Sequence, residues 1–165
     1  MSVTIREYTK VRIPDVLEFE RRLREEEDDW GWEIDEPYVR AVEASFSDRA
    51  FDGSVSLLAY EGPAVVGRID ATLIASRFDG SKKAYLDWIC VLKSRRHRGV
   101  GQALLEALRD ILRQRRIDTL IALTASNQEA QRFYHSVPDS EMHDVGIWIN
   151  IKGIEHNGDK ENRSG

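Results

Sequence analysis

One cysteine, Cys90, stands in a chain of 165 residues. No internal disulfide framework is available, and a reducing compartment, the cytoplasm, is the expected location. No apolar stretch approaches the roughly 20 residues that cross a bilayer, so no membrane role is expected. The opening MSVTIREYTK has no charged segment followed by an apolar one and does not read as a secretion signal. Metal-ligand spacing is missing too. The four histidines are scattered, and no metal is expected. Nor is there an excess of positive charge: 24 Lys and Arg against 29 Asp and Glu leave a net charge of −5. That balance weighs against a nucleic-acid binder, as does the lack of aromatic residues inside the basic runs. Repeats and low-complexity linkers are absent as well. The length suits one compact domain, taken as residues 1–152, followed by a polar tail over 153–165.

What charge there is falls in two places. Acid is packed into Glu25 to Asp29 and continues through Glu33, Asp35 and Glu36, whereas base is packed into Lys93, Arg95, Arg96 and Arg98. Two local fields of opposite sign suggest an anionic ligand and a cationic one.

Hydrophobic periodicity orders the rest. Val3–Tyr8 reads as a strand, Val16, Leu17, Phe19 and Leu23 as a helical stripe after Pro14, and Val39, Val42 and Phe46 as the inner face of a helix from Pro37. Asp52-Gly53, Glu61-Gly62-Pro63 and Asp79-Gly80 are turns separating strands Ser54–Tyr60, Ala64–Ile74 and Ala84–Leu92. The last of these alternates, placing Tyr85, Asp87, Ile89 and Val91 on one face and Leu86, Trp88 and Cys90 on the other. A helix from Val100, a short strand Thr119–Leu123, a helix opened by Asn127 and a strand Val145–Ile151 follow. The order β-α-α-β-β-β-α-β-α-β predicts a single α/β (α+β) domain, a mixed sheet with helices on both faces.

Arg96-His97-Arg98-Gly99-Val100-Gly101-Gln102 joins the strongest strand to the strongest helix. A helix N-terminus offers unpaired amides and partial positive charge, which suits phosphate. Gly99 and Gly101 clear side chains from those amides, and the arginines add charge-assisted hydrogen bonds. Neither a P-loop nor a dinucleotide fingerprint fits, because Gln102-Ala103 follows the last glycine and Leu104 stands where a third small residue belongs.

This loop resembles the cofactor motif of the GNAT superfamily of N-acetyltransferases, written as Arg or Gln, two residues, Gly, one residue, Gly or Ala. Arg96, Gly99 and Gly101 match it. Asn127, Ala130, Phe133 and Tyr134 match a second family pattern downstream. The resemblance implies that acetyl-CoA is the acyl donor. Its pyrophosphate would lie on Arg96, His97, Arg98, Gly99, Val100, Gly101 and Gln102, Asn127 would touch the CoA arm, and the Tyr134 hydroxyl would lie near the thioester sulfur. After Tyr134 the chain reads His135-Ser136-Val137-Pro138 where the family continues with Gly-Phe, which leaves the end of the sheet open.

Amine attack on a thioester carbonyl makes a tetrahedral intermediate and releases a thiolate. Strand amides at Cys90 and Val91 are the candidate oxyanion donors. Tyr134 is the candidate general acid. An alkylamine of pKa about 10 must also lose a proton, for which Asp87 is the candidate base, with water relay as the alternative. Cys90 itself reads as a small core residue. For the acceptor side the candidates are Asp28, Asp29, Trp30, Trp32, Glu33 and Tyr85, which favours a small cationic amine: a polyamine, an aminoglycoside or a lysine-bearing peptide. Against this stands pairing of Arg21, Arg22 and Arg24 with Glu25 to Asp28 as a solvated face. A non-catalytic acyl-CoA sensor is the alternative function. Homodimers are common in the family, although no dimer seam is visible here.

Overall fold

In a pleated strand, neighbouring side chains leave by opposite faces, and in this protein one such pair, Gly67 and Arg68, fixes what lies on each side of the sheet. The computed structural model describes residues 3–28, 31–123 and 128–142. Its elements are β1 (Thr4–Glu7), α1 (Ile13–Glu26), α2 (Glu36–Ser45), β2 (Ser54–Glu61), β3 (Ala64–Ala75), β4 (Lys82–Val91), α3 (Val100–Gln114), β5 (Leu120–Ala122) and α4 (Gln128–His135). They follow the expected order. Strand Val145–Ile151 and the tail from Gly153 lie outside the described residues.

The sheet runs β1-β2-β3-β4-β5. Its first four strands are antiparallel neighbours, while β5 lies parallel to β4 after the crossover through α3. On one face, a Cβ at Gly67 would stand 3.0 Å from both Leu104 Cδ1 and Val100 Cγ1, so the glycine is what lets α3 sit close on β3. On the other face Arg68 reaches Glu20 of α1. The helices therefore cover both faces, as the element order predicts.

Each helix shows its local cause. Pro14 and Asp15 occupy the first turn of α1, and Ile13, Val16, Phe19, Glu20 and Leu23 are its buried residues. Asp35 caps α2 by accepting the Tyr38 amide at 2.9 Å. On α3, Val100, Leu104, Leu105, Leu108 and Leu112 are buried. Full burial of such side chains stabilises by about 1.5–3 kcal/mol each, before entropy is charged against it. Unlike α1 and α3, helix α2 has no buried residue. Its apolar stripe faces inward but stands off from the sheet, and a cavity fills the gap.

One expectation about β4 is corrected. Trp88 lies opposite Asp70 and Leu86 opposite Ala71, so Asp87 is an extra residue without a partner. Such a bulge shifts the alternation by one. Trp88 and Cys90 thereby share a face with Asp70 and Arg68, and Ile89 shares the opposite face with Ile69. Tyr85, opposite Thr72, belongs to the Trp88 face.

The tight seat of α3 yields a direct test. Gly67→Val should destabilise the fold by about 1–3 kcal/mol through overpacking against Val100 and Leu104. Urea unfolding measures this, and an unchanged midpoint would contradict the packing described.

Candidate active site

The loop after β4 presents unpaired backbone donors. The amides of residues 97 to 102 find no acceptor among the described residues, and the first helical bond is Ala103 N to Gly99 O at 2.9 Å. Gly99 has φ 80°, and nothing lies within 4 Å of where its Cβ would be, so its conformation and not space demands glycine. Gly101 serves another purpose. A Cβ there would meet the Phe133 ring at 3.1 Å, so this glycine seats α4 against α3. His97 adopts φ 59° and its exposed ring lies 3.5 Å from Glu129 Oε1.

The arginines divide. Arg98 is exposed and forms no ion pair with a described residue. Arg96 is engaged on all sides: Nη1 donates to Glu27 Oε1 (2.9 Å) and Glu129 Oε2 (3.0 Å), Nη2 to Glu27 Oε2 (2.5 Å), and Nε to Val91 O (3.2 Å). Glu26 accepts from the Ser94 amide (2.8 Å) and hydroxyl (2.7 Å), and Arg95 donates to Glu61. The acidic end of α1 thus pairs with the basic loop. Arg21 pairs with Glu18, and Arg24 donates to the carbonyls of Glu20 and Trp32. Glu25 to Asp28 are therefore not the partners of these two arginines.

Strand β5 pairs with β4 only at Ala84, Tyr85 and Leu86. Leu92 gives its amide to Val66 O at 3.0 Å on the β3 side. By alternation the Val91 N–H points to the other side, where no described strand pairs with it, while the Cys90 N–H is turned toward β3. Of the two candidate oxyanion donors, Val91 is the one presented. The Cys90 side chain is buried, and burial pushes its thiol up to about 12, which makes it an inert core group at neutral pH. Tyr134, on α4, stacks edge-on against Phe133 at 5.3 Å. Burial, with a smaller contribution from neighbouring Tyr85, raises its pKa, so the hydroxyl keeps its proton at neutral pH. Asn127 lies outside the described residues.

A cavity of about 640 Å³ opens between α2 and the sheet. Among the described residues its wall carries Glu7, Glu20, Asp48, Asp52, Asp70 and Asp87 against a single cation, Arg68, with Tyr8, Trp32, Tyr38, Phe46, Phe51 and Trp88 as its aromatic part. Of the expected acceptor residues, Trp32 lines this cavity and stands edge-on to Trp88 at 6.1 Å. Asp28 and Glu33 are exposed and lie outside its wall, as does Tyr85. Asp29 and Trp30 fall outside the described residues. Asp87 is exposed at the cavity's β4 end.

The floor holds a polar network absent from the sequence expectations. Glu20, 1% exposed, accepts from the Tyr38 hydroxyl (2.8 Å) and from Arg68 (3.3 Å). Arg68 also bonds Asp70 (3.0 Å) and lies over the rings of Tyr8 and Trp88. Asp70 accepts from Ser56 at 2.6 Å. Among the described residues no group of three metal-ligating side chains assembles, and no helix is long and apolar enough to cross a membrane.

A sequence model of the Acetyltransferase (GNAT) family matches residues 17–137. Among curated proteins no sequence matches the chain. Among solved structures, an aminoglycoside acetyltransferase from an uncultured soil metagenomic sample, in complex with sisomicin, superposes with TM-score 0.75 at 13% identity, covering 90% of this chain and 96% of that one. AAC(6')-Iy, in complex with the bisubstrate analogue CoA-S-monomethyl-acetylneamine, gives 0.72 at 20% identity over 91% and 99%. A ribosomal-protein-alanine N-acetyltransferase from Brucella melitensis biovar Abortus 2308 gives 0.70 at 16% over 91% and 99%. At these identities the likeness is one of fold.

Burial outweighs the Tyr38 hydrogen bond and the nearby arginines at Glu20, so its carboxyl titrates above the ordinary 4.5. A carboxyl with a raised folded-state pKa stabilises most below its unfolded value and loses that contribution as pH rises through the folded one. Glu20→Gln keeps an acceptor for Tyr38 and removes the titration. Its stability relative to the parent should therefore climb as pH rises from about 4 to about 8, as measured by urea unfolding. A gap that stays constant with pH would contradict this assignment.

Proposed function

Because the chain belongs to the acetyltransferase (GNAT) family and is an N-acetyltransferase, we propose that it moves an acetyl group from acetyl-CoA to a primary amine of a small cationic acceptor, by direct attack in a ternary complex. The observation that carries the acceptor class is the cavity wall, with six carboxylates against one guanidinium and aromatic faces between them. Such a wall concentrates cations and lets an ammonium rest on ring faces. A volume of about 640 Å³ lies within the range of small-molecule sites. A polyamine, an aminoglycoside-like molecule or a lysine side chain on a short peptide all have the required chemistry. The complexes of the structural neighbours with sisomicin and with a CoA–aminoglycoside analogue support the same direction.

The donor supplies its acyl group already activated as a thioester. The chain's part is to bind, orient and move protons. The open amides of residues 97–102 and the Arg98 guanidinium fit a diphosphate. The Val91 amide is aimed along the edge of β4 left open beyond Leu86, where it stabilises negative charge developing on the carbonyl oxygen. Tyr134, protonated at neutral pH, gives its proton to the departing sulfur and is reprotonated by the second proton that the attacking nitrogen sheds on becoming an amide. Asp87, exposed on the bulge, takes the proton from the incoming ammonium and hands it to bulk water. The cytoplasm remains the proposed location.

Release of free thiol from acetyl-CoA in the presence of spermidine, kanamycin or a lysine-bearing peptide tests the reading. Turnover with at least one is expected. Tyr134→Phe should lower kcat by about 10²-fold with little change in KM, the size of a lost general acid. Asp87→Asn should lower kcat/KM by about 10²-fold, the size of a lost general base, and an unchanged kcat/KM would leave proton removal to water. CoA binding without turnover on any amine, in a protein indifferent to Tyr134→Phe, would instead identify an acyl-CoA sensor.

A further inference from the structure

Arg96 occupies the motif position where a phosphate contact is expected, yet its guanidinium is already committed. Four of its five N–H donors are engaged, by Glu27, Glu129 and the Val91 carbonyl. Its side chain is only 22% exposed and that of Glu27 18%. A diphosphate arriving at this fork would meet two carboxylates on the same nitrogens. Opening a half-buried pair of this kind leaves a charge without compensation. Arg98, two residues on, carries no such partner among the described residues and sits beside the open amides.

We propose that Arg96 is a positioning residue that locks α1, β4 and α4 into one geometry, while diphosphate recognition falls on Arg98 and the amides of residues 97–102. The proposal rests on the loop being the acetyl-CoA site and divides the labour within it. Each partner of the fork leads to a working part. Glu27 caps the C-terminal end of α1, from which the chain runs on to Trp32 and α2, the wall of the acceptor cavity. Val91 offers its amide on the same side as the carbonyl that Arg96 holds, because both groups of a strand residue point one way. Glu129 lies in the first turn of α4, which seats Phe133 on Gly101 and carries Tyr134. Ser94 fastened to Glu26 reinforces the α1 attachment. Removing the fork therefore misplaces the acceptor wall, the oxyanion donor and the tyrosine together, with little loss of donor contact.

The test compares Arg96→Gln, Arg96→Lys, Glu27→Gln and Arg98→Gln, each checked for folding by thermal melt. CoA dissociation constants come from calorimetry, and kcat and KM from whichever of the three amines above turns over fastest. Arg98→Gln should weaken CoA by about tenfold, the worth of one charge-assisted hydrogen bond. Arg96→Gln and Glu27→Gln should leave CoA binding within about threefold while each lowers kcat by about tenfold or more. The double variant should be no worse than the poorer single one, as expected of two halves of one contact. Arg96→Lys should fail to restore kcat, since a single ammonium cannot reproduce the planar fork that grips both oxygens of Glu27 while reaching Glu129 and Val91. Tighter CoA binding in Glu27→Gln, or a loss in Arg96→Gln equal to that in Arg98→Gln, would overturn the proposal and return Arg96 to the phosphate. Absence of CoA binding in the parent protein would instead overturn the donor-site reading beneath it. Should Arg96→Gln not fold, Glu27→Gln and Arg96→Lys carry the comparison.

Discussion

Strand β4 is held along its whole length on one edge and along only three residues on the other, and the candidate site depends on that asymmetry. Pairing with β3 continues to Val91, whereas pairing with β5 stops at Leu86 among the described residues. Beyond Leu86 the strand keeps its extended shape while its outer amides find no partner strand among the described residues. That is the condition for a backbone donor at Val91 to serve a ligand instead of a neighbour. The bulge at Asp87 belongs to the same asymmetry. It turns Asp87 and Trp88 to the cavity side and restores the alternation needed for Ile89 to rejoin the core with Ile69.

The electrostatics form two separate compartments. Near the loop, the acid at the end of α1 neutralises Arg96 and bonds Ser94, leaving Arg98 and a run of free amides as the positive element. Beneath α2, carboxylates from β1, α1, β3, β4 and the loop before β2 line one cavity, and two of them, Glu20 and Asp70, pair with its arginine, Arg68. A charged residue as buried as Glu20 persists because Tyr38 and Arg68 reach the same oxygen, which lowers the cost that desolvation imposes.

Much of this was legible in the sequence because it is local. The strand–loop–helix context, the need for glycine at 99 and the stripes of α1 and α3 all depend on neighbours within a turn or two. What was not legible depends on distant contacts. Gly101 reads as room for a ligand until Phe133 from α4 is seen to fill that space. The faces of β4 cannot be read by counting, because one unpaired residue, visible only from the register with β3, reverses them. Glu20 sits on the stripe of Val16, Phe19 and Leu23 at helical spacing, and that position was the available signal for a buried carboxylate. The acidic run at Glu25 to Asp29 suggested the acceptor because charge runs look alike whichever ligand or loop they face. Two of its members, Glu26 and Glu27, bond the basic loop through Ser94 and Arg96. Asn127, half of the second motif, lies outside the described residues.

The central claim is that open backbone amides at the start of α3 hold the donor's diphosphate beside the free edge of β4. Titration of ¹⁵N-labelled protein with CoA, followed by backbone amide shifts, reads those groups directly. The account predicts that the largest and earliest shifts fall on residues 97 to 102 and on Val91. Shifts centred on another part of the molecule, or none at millimolar CoA, would contradict it.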